Sequence, residues 1–433
     1  MRRKLGLRLC EAALVCFFLI SFLLLPLASA DTKRLLQAID EASSSCKAVS
    51  EKIFEFKELG GQEFKSSALL KEELTKLGFN VKGDLSVPAD LVQGGIAKTA
   101  FKAEIMGKGP GPTITIMLEY DALKNGHACG HNLIAGSGLL AAAGLAKLMK
   151  ELPGRLLVIG TPDEERGSLG GGKIALLEGG HFEGTDAVLI THGADRWSVD
   201  QRLLAMKRAT FTFKGKAAHA AAAPHKGISA LDAVILTFNA TDMLREHVRQ
   251  DVRIHGIVKK GGDAVNIVPE LAEAEFAVRA LDTATMEQAY ARVVNCAKAA
   301  ELATGAILEF KEPRTALKAP VVVPEFVDIV AAQMQSIGIP KEQILDFSEF
   351  ASSDLGNVGY FFPTVNVWFK VAPMGTALHS DAFREAAGSE EGWKGAVMAA
   401  KVVALSAYDL LTHPEKVEKI KARFKELKEK EGK

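Results

Sequence analysis

Short apolar runs alternate with helical stretches through the first and last parts of this sequence. Four runs have the length of a buried strand; they are residues 112–118, 155–160, 186–191 and 363–371. Residues 132–152, which follow the first run, are rich in small and apolar residues, as in a buried helix. Strands that alternate with helices are typical of an α/β fold with a largely parallel sheet. We therefore predict an α/β domain in which helices flank a mostly parallel sheet.

The middle of the chain has a different order of elements. Apolar and polar residues alternate as in half-exposed strands, with two long amphipathic stretches between them. The predicted strands are 208–219, 252–262, 270–281 and 306–312, and the predicted helices are 229–248 and 284–305. Strand–helix–strand–strand–helix–strand is the ferredoxin-like order. We therefore predict an inserted ferredoxin-like α+β domain at 206–312, which divides the first domain into residues 31–205 and 313–433.

The first thirty residues have the composition of a secretory signal peptide. A basic start, MRRKLGLRLC, precedes an almost purely apolar run, and the small-residue sequence ASA ends at Ala30. This arrangement predicts an exported protein, periplasmic or secreted, from which residues 1–30 are removed. The apolar run is short for a membrane span and contains Pro26, so we expect no stable membrane insertion of the mature protein. Retention of the segment as an anchor is the alternative.

Charge and cysteine content exclude two classes of protein. The chain carries 53 basic and 53 acidic side chains, whereas nucleic-acid binding requires a basic surface. Outside the predicted signal peptide, the cysteines are Cys46, Cys129 and Cys296. Three scattered cysteines do not form the framework of a disulfide-rich domain. A single bridge between Cys46 and Cys296 is left open.

Side chains that can bind metal ions follow all four apolar runs. Cys129 and His131 come after the first, Glu164 and Glu165 after the second, His192 ends the third, and His379 follows the fourth. Ligands of open α/β sheets bind at the carboxyl ends of the strands, so we expect these residues to converge. Each alone has a common structural explanation, such as a buried cysteine or a solvated turn. Together they predict a metal site.

The types of ligand indicate which metal binds and how many ions are present. Thiolate, imidazole and carboxylate together suit borderline ions such as Zn²⁺ or Mn²⁺. A set of more than four candidate ligands indicates two divalent ions, because a structural or catalytic zinc is held by about four. Two ions can hold both sides of a reacting bond.

Two further patterns indicate other chemistry. GSLGGGKI (167–174) resembles a phosphate-binding loop, but Ile174 occupies the position of the serine or threonine that binds Mg²⁺. Cys129 with a histidine base would be a thiol nucleophile; His131 is too close in sequence to be well aimed at it, so a more distant histidine would serve as that base. The nucleotide interpretation therefore lacks its metal-binding hydroxyl, whereas the residues alone leave the thiol interpretation open.

Several segments, in order along the chain, resemble the M20 family of metallopeptidases and amidohydrolases, and in particular its D branch. They are LEYDALKNGHACGHN, TPDEERG, THG, GKAAHAAAAPHKGISALDA, NIVPELAEAEFAVRA, SSDLGNVG and ALHS. That branch includes aminoacylase-like, auxin-conjugate and aminobenzoyl-glutamate hydrolases and M20 domain-containing dipeptidases. The resemblance implies a two-metal catalytic domain with an inserted lid that also forms a homodimer interface. It implies a metal-dependent amidohydrolase whose substrate is a small amide with a free carboxylate, namely a dipeptide or an N-acyl amino acid.

The resemblance also implies roles for individual residues. The metal ligands would be Cys129, His131, Glu165, His192 and His379, with the Cys129 thiolate able to bridge the ions. Glu164 would be the general base, and Asp121 would orient a metal ligand. In the lid, His219 would reach across the dimer to the substrate. Asn266 and Arg279 would bind the carboxylate or the scissile carbonyl of the substrate.

The residues themselves leave some of these roles undecided. Without the resemblance, Glu164 and Glu165 are not distinguished as the base, and His225 is an alternative to His219. The sequence departs from the family pattern at Lys124, where proline is usual, and at Asp163, where small residues are common. These departures concern the substrate pocket and not the metal site. Two alternative functions are a non-catalytic small-molecule binding protein on the same fold and a thiol enzyme that uses Cys129.

Overall fold

Two β-sheets, each with its own helices, account for most of the described chain. The structure is a computed structural model that describes residues 30–89, 95–165, 171–312 and 314–431. Residues 1–29, which are nearly all of the predicted signal peptide, lie outside the described residues. The first four residues of the predicted GSLGGGKI loop lie outside them as well.

The larger sheet is mostly parallel and, within the described residues, has six strands. They are β1 (Asn80–Lys82), β2 (Phe101–Met106), β3 (Thr113–Leu118), β4 (Arg155–Gly160), β5 (Ala187–Ala194) and β10 (Thr364–Lys370). The order is β1-β2-β4-β3-β5-β10, and only β2 runs antiparallel to its neighbours. The four consecutive parallel strands β4, β3, β5 and β10 are almost entirely buried, which explains their continuous apolar sequence.

The apolar residues of the larger sheet divide between two cores, one on each face. Ile116 and Val158 belong to one core, and Met117 and Leu157, which alternate with them along β3 and β4, belong to the other.

The helices of the described chain are α1 (Ala30–Phe56), α2 (Phe64–Lys76), α3 (Ile96–Thr99), α4 (His131–Ala146), α5 (Gly172–Glu178), α6 (Ala230–Leu244), α7 (Thr283–Thr304), α8 (Pro324–Ser336), α9 (Leu355–Phe361), α10 (Asp381–Ala387), α11 (Glu390–Thr412) and α12 (Pro414–Lys430). Helices α1, α4 and α11 pack in the first core, whereas α5 and α9 contribute to the second. The helix α11 is long and apolar enough to cross a membrane, but it packs against α4 and β10 as a core helix.

The smaller sheet is antiparallel throughout and carries two helices. Its strands are β6 (Ala205–Lys214), β7 (Arg253–Lys260), β8 (Leu271–Ala280) and β9 (Ile307–Lys311), in the order β7-β8-β6-β9. Phe211, Phe213 and Phe276 on one face of this sheet form a core with Val234 of α6 and Val293 of α7. With α6 and α7 between the strands, this is the ferredoxin-like order. The predicted fold class, a mostly parallel α/β sheet with an inserted ferredoxin-like α+β unit, is confirmed.

Two details of the larger sheet differ from the prediction. β1 and β2 were not predicted, since the short sequence of β2 carries the partly exposed Lys102 and Glu104 and lacks a continuous apolar run. β5 also continues beyond its predicted end to Ala194, because it pairs with β10 as far as Lys370. His192 therefore lies within the strand, two residues before its end.

Candidate metal centre

A histidine–aspartate pair lies at the start of α4. The chain enters this helix through Gly130, whose φ of 78° lies in the left-handed region that favours glycine. His131 Nδ1 donates a 2.8 Å hydrogen bond to Asp121 Oδ1. The backbone N–H of Glu165 donates to Asp121 Oδ2 at 3.0 Å. Asp121 therefore orients the ring of His131 and also anchors the segment that carries Glu165.

The second nitrogen of His131 has no hydrogen-bond partner in the described part of the chain. Burial opposes the charged ring, but the carboxylate of Asp121 and the nearby Cys129 raise the pKa of His131 well above its usual value. Its Nε2 is buried and unpartnered among the described residues, 3.6 Å from Glu119 Oε2 and 3.8 Å from Glu165 Oε1. Histidine binds metals in its neutral form, so a bound cation would replace the proton at Nε2.

Cys129 and His192 face each other beside this pair. His192 Nδ1 donates to the backbone oxygen of Gly193 at 2.8 Å, which leaves the lone pair of Nε2 directed toward Cys129 Sγ at 3.6 Å. Burial lowers the pKa of His192 to about 4, so its ring is neutral. Burial also raises the pKa of the Cys129 thiol. A thiol nucleophile requires a lowered pKa, which this metal-free environment does not give Cys129.

Glu165 and His379 complete the group of candidate ligands. His379 adopts a φ of 66°, and its backbone N–H donates to Ala128 O at 2.9 Å, which holds it against the segment that carries Cys129. His379 Nε2 lies 3.6 Å from Glu165 Oε1, which is buried and has no hydrogen-bond partner among the described residues. Burial lowers the pKa of His379 and raises that of Glu165 to about 7. An unpartnered carboxylate oxygen between two imidazole nitrogens fits a cation-binding site.

All five predicted ligands converge on one place in the described structure. Their ligand atoms form two groups, each with atoms within 4.8 Å of one another: Cys129, His131 and His192 in one, and Cys129, Glu165 and His379 in the other. A third group with the same spacing contains His131, Glu164 and Glu165. Because Cys129 belongs to both of the first two groups, the arrangement fits two ions that share one thiolate.

Glu164 is held differently from its neighbour Glu165. The hydroxyl of Ser353 donates a 2.6 Å hydrogen bond to Glu164 Oε1. Burial is the main cause that raises the pKa of Glu164 above its usual range. A carboxyl group with a raised pKa beside a metal site has the property that a general base requires near neutral pH.

Sequence reasoning missed a buried ionic group beneath the centre. Lys173 is fully buried, and its ammonium lies 2.8 Å from Glu119 Oε1 and 2.5 Å from Asp354 Oδ1. Two signals were present in the sequence. Lys173 belongs to the GSLGGGKI segment, which we considered only as a phosphate-binding loop, and Asp354 belongs to SSDLGNVG.

Arg279 is the one predicted substrate-binding residue that shares a cleft with the metal centre among the described residues. It lies on β8, and its Nη1 donates to Ser352 Oγ at 3.1 Å. Arg279 and Glu165 both line a cleft of about 520 Å³ between the two sheets. Burial and the nearby Arg208 lower the pKa of Arg279, and its Nε has no partner among the described residues.

His219 and Asn266 lie together, and their hydrogen bonds within the described chain involve none of the candidate metal ligands. The backbone N–H of Ala220 donates to Asn266 O at 3.0 Å, which joins the two segments. His219 is exposed, and its Nδ1 accepts from the backbone N–H groups of Ala221 and Ala222 at 3.2 and 3.1 Å. His225 is also exposed, in a short 3₁₀ helix at Pro224–Lys226.

Comparison with known proteins identifies the family. A family model described as a peptidase dimerisation domain of the M20 type matches residues 205–304. The Xaa-Arg dipeptidase of Mus musculus is 32% identical over 407 residues, which cover 91% of this chain and 92% of that protein. The chain belongs to the M20 family. Its hydrolases act on amide bonds, so the predicted enzyme class is confirmed.

Other members extend the similarity. One of the p-aminobenzoyl-glutamate hydrolase polypeptides of Escherichia coli is 34% identical over 283 residues, 60% of this chain and 56% of that protein. A Bacillus subtilis structure described as a dinuclear metal binding peptidase from the M20 family superposes with a TM-score of 0.64, at 20% identity. The superposition covers 86% of this chain and 99% of the B. subtilis chain. The aminobenzoyl-glutamate utilization protein of Klebsiella pneumoniae gives a TM-score of 0.62 at 18% identity, with 86% and 97% covered.

Proposed function

We propose that this protein is a metal-dependent amidohydrolase that cleaves the amide bond of a dipeptide or an N-acyl amino acid with a free carboxylate. The observation that carries the proposal is the pair of ligand groups that share Cys129. Side chains from four separate parts of the chain supply these groups, and buried His131 Nε2 and Glu165 Oε1 have no other partner among the described residues. The B. subtilis neighbour, described as a dinuclear metal binding peptidase, supports two metal ions. The mixture of thiolate, imidazole and carboxylate ligands favours divalent Zn²⁺ or Mn²⁺.

The side chains of the centre divide into ligands and a base. Cys129, His131, Glu165, His192 and His379 would hold the ions, and Asp121 would fix the ring of His131. Divalent ions in such a centre supply Lewis acidity, which acidifies a water molecule and polarises a carbonyl. Glu164 takes a proton from the attacking water and delivers it to the leaving nitrogen, a role that contributes roughly 10²–10⁴-fold in rate.

The cleft between the two sheets provides the substrate site. Arg279 presents a guanidinium to this cleft, and a guanidinium binds a carboxylate through two parallel hydrogen bonds. The relatives are named for substrates of opposite charge, arginine in one and glutamate in the other. The family therefore leaves open the charge of the side chain beside the scissile amide.

Homodimer formation and export complete the proposal. The match to a peptidase dimerisation domain supports a homodimer, and a dimer allows the exposed His219 and Asn266 to approach the centre of the partner subunit. Sedimentation that showed a fully active monomer would remove that role for both residues. The basic, apolar and small-residue regions of 1–30 support export to the periplasm or the exterior.

Substitution of the base tests the mechanism. The Glu164→Gln variant keeps the size of the side chain but accepts no proton, so turnover should fall by at least about 100-fold. Metal content, measured by elemental analysis, should stay at the wild-type value. Retained turnover in this variant, with metal bound, would remove Glu164 from the mechanism.

A further inference from the structure

A continuous path of contacts connects the fully buried Lys173 to Glu164. The path begins with the Lys173 ammonium, which contacts Asp354 Oδ1 at 2.5 Å and Glu119 Oε1 at 2.8 Å. A charged group in the interior is tolerated only when it is paired, so these contacts fix the lysine in one place. Glu119 directly follows β3, and Asp354 directly precedes α9. The ammonium therefore ties the start of α9 to the central sheet.

The carboxylate of Asp354 also accepts a backbone hydrogen bond at the start of α5. Its Oδ2 accepts the backbone N–H of Lys173 at 3.1 Å, so one residue holds both oxygens of the carboxylate. The absence of a side chain at Gly171 makes this approach possible. A Cβ atom at that position would lie 2.3 Å from Asp354 Oδ2, well inside van der Waals contact. The position of Asp354 is thus fixed from two directions.

Ser353 transfers this fixed position to Glu164. Its hydroxyl oxygen accepts the backbone N–H of Leu355 at 3.1 Å and donates its single proton to Glu164 Oε1 at 2.6 Å. The hydroxyl proton is therefore committed to one carboxylate oxygen, and Oε2 is the oxygen left for proton transfer. Because Ser353 is bonded to Asp354 in the chain, any movement of Asp354 displaces this hydroxyl.

We propose that Lys173, Asp354 and Ser353 are positioning residues that hold the carboxylate of Glu164 in its reactive orientation. The proposal rests on Glu164 serving as the general base. Lys173 and Asp354 fix the start of α9, and the Ser353 hydroxyl fixes Oε1 of Glu164. These residues need not touch the substrate or the ions, and they act through Glu164.

The Ser353→Ala variant tests the last step of this path. Loss of one oriented hydrogen bond should lower kcat about tenfold, while KM and metal content stay at their wild-type values. The Ser353→Thr variant keeps the hydroxyl and should restore most of the rate. Ser406→Ala is the control, because the Ser406 hydroxyl donates to Val402 O within α11 rather than to Glu164. The proposal would be overturned if Ser353→Ala had the same kcat as wild type. It would also be overturned if the fall in kcat were matched by an equal fall in metal content.

Making the Ser353→Ala change in the Glu164→Gln variant separates this proposal from the proposed function. If Ser353 acts through Glu164, Ser353→Ala should cause no further loss in the Glu164→Gln variant, because the two effects are coupled. An additional tenfold loss in that background would contradict the proposal. Full activity of Glu164→Gln alone would instead contradict the assignment of the base.

Lys173→Met tests the origin of the path. The change removes the charge that pairs Asp354 and Glu119, so kcat should fall by at least as much as in Ser353→Ala. Lys401→Met is the control, since Lys401 makes a 2.7 Å ion pair with Asp40 far along the chain from these residues. If Lys173→Met does not fold, the Ser353 variants alone decide the proposal. A folded Lys173→Met protein with wild-type kcat would exclude Lys173 from the path.

Discussion

Asp121 holds His131 by a 2.8 Å hydrogen bond from Nδ1, and its other oxygen receives the backbone N–H of Glu165. One carboxylate therefore orients one candidate ligand and anchors the segment of another. A carboxylate behind a histidine ligand fixes the tautomer of the ring and increases the basicity of the ligating nitrogen. Asp121 itself is 1% exposed and lies beneath the candidate centre.

Substitution of Asp121 should weaken metal binding. The Asp121→Asn variant keeps the shape of the side chain but removes the charge, so metal affinity should fall about 10–100-fold. Competition with a chromophoric chelator measures this change. Asp186→Asn is the control, because Asp186 Oδ2 accepts the N–H of Thr113 at the opposite end of β3. An unchanged affinity in Asp121→Asn would show that His131 does not depend on this bond.

Loss of the Cys129 thiol should reduce the number of ions bound. Because Cys129 belongs to two ligand groups, the Cys129→Ala variant should bind less metal per chain than wild type and lose activity. Elemental analysis after dialysis gives the stoichiometry. Cys296→Ser is the matched control, since Cys296 is a free, half-exposed cysteine in α7 of the smaller unit. Wild-type metal content in Cys129→Ala would remove the shared thiolate from the account.

The parallel part of the larger sheet was predictable because its strands are short, continuous apolar runs. β3, β4, β5 and β10 are buried on both faces, and their continuous apolar sequences are shorter than those of the buried helices. The short strand β1 and the strand β2 have no such run, and their pairing depends on neighbours distant in the sequence. The convergence of the candidate ligands was also predictable, because these residues follow or end parallel strands, and the carboxyl ends of parallel strands lie on one edge of the sheet.

Contacts between distant segments were not predictable in the same way. The ion pairs of Lys173 join residues 54 and 181 positions apart, so the motifs that contain these residues did not reveal that their side chains meet. The same is true of Ser353 and Glu164, which are 189 positions apart. In the proposed homodimer, the positions of His219 and Asn266 relative to a substrate would depend on a second chain, which the sequence of one chain does not specify.

The stability of the metal-free protein should depend on Glu63. Glu63 is fully buried, and burial, together with Asp121, raises its pKa to about 8. Between its ordinary value of 4.5 and about 8, the folded chain retains a proton that the unfolded chain has released. Raising the pH through this window therefore favours unfolding, by an amount on the order of a few kcal/mol.

The Glu63→Gln variant should remove this dependence. Glutamine keeps the oxygen that accepts the backbone N–H of Asp163 but does not titrate. Urea unfolding of the chelator-treated protein, measured at several values from about pH 5 to about pH 8, should therefore show a shallower loss of stability than wild type. Glu415→Gln, an exposed change in α12, is the control. Parallel curves for wild type and Glu63→Gln would contradict the buried, proton-binding state of Glu63.

Release of an amine from small amides tests the central claim most directly. The chain from Asp31 onward, without the predicted signal peptide, would be incubated with dipeptides and N-acyl amino acids in the presence of Mn²⁺ or Zn²⁺, and a parallel set would contain chelator. Mass spectrometry would detect the products. We expect release from at least one carboxylate-bearing amide, abolished by chelator and restored by added metal. Cleavage that persists in chelator, or no release from any amide while the protein demonstrably binds metal, would contradict the account.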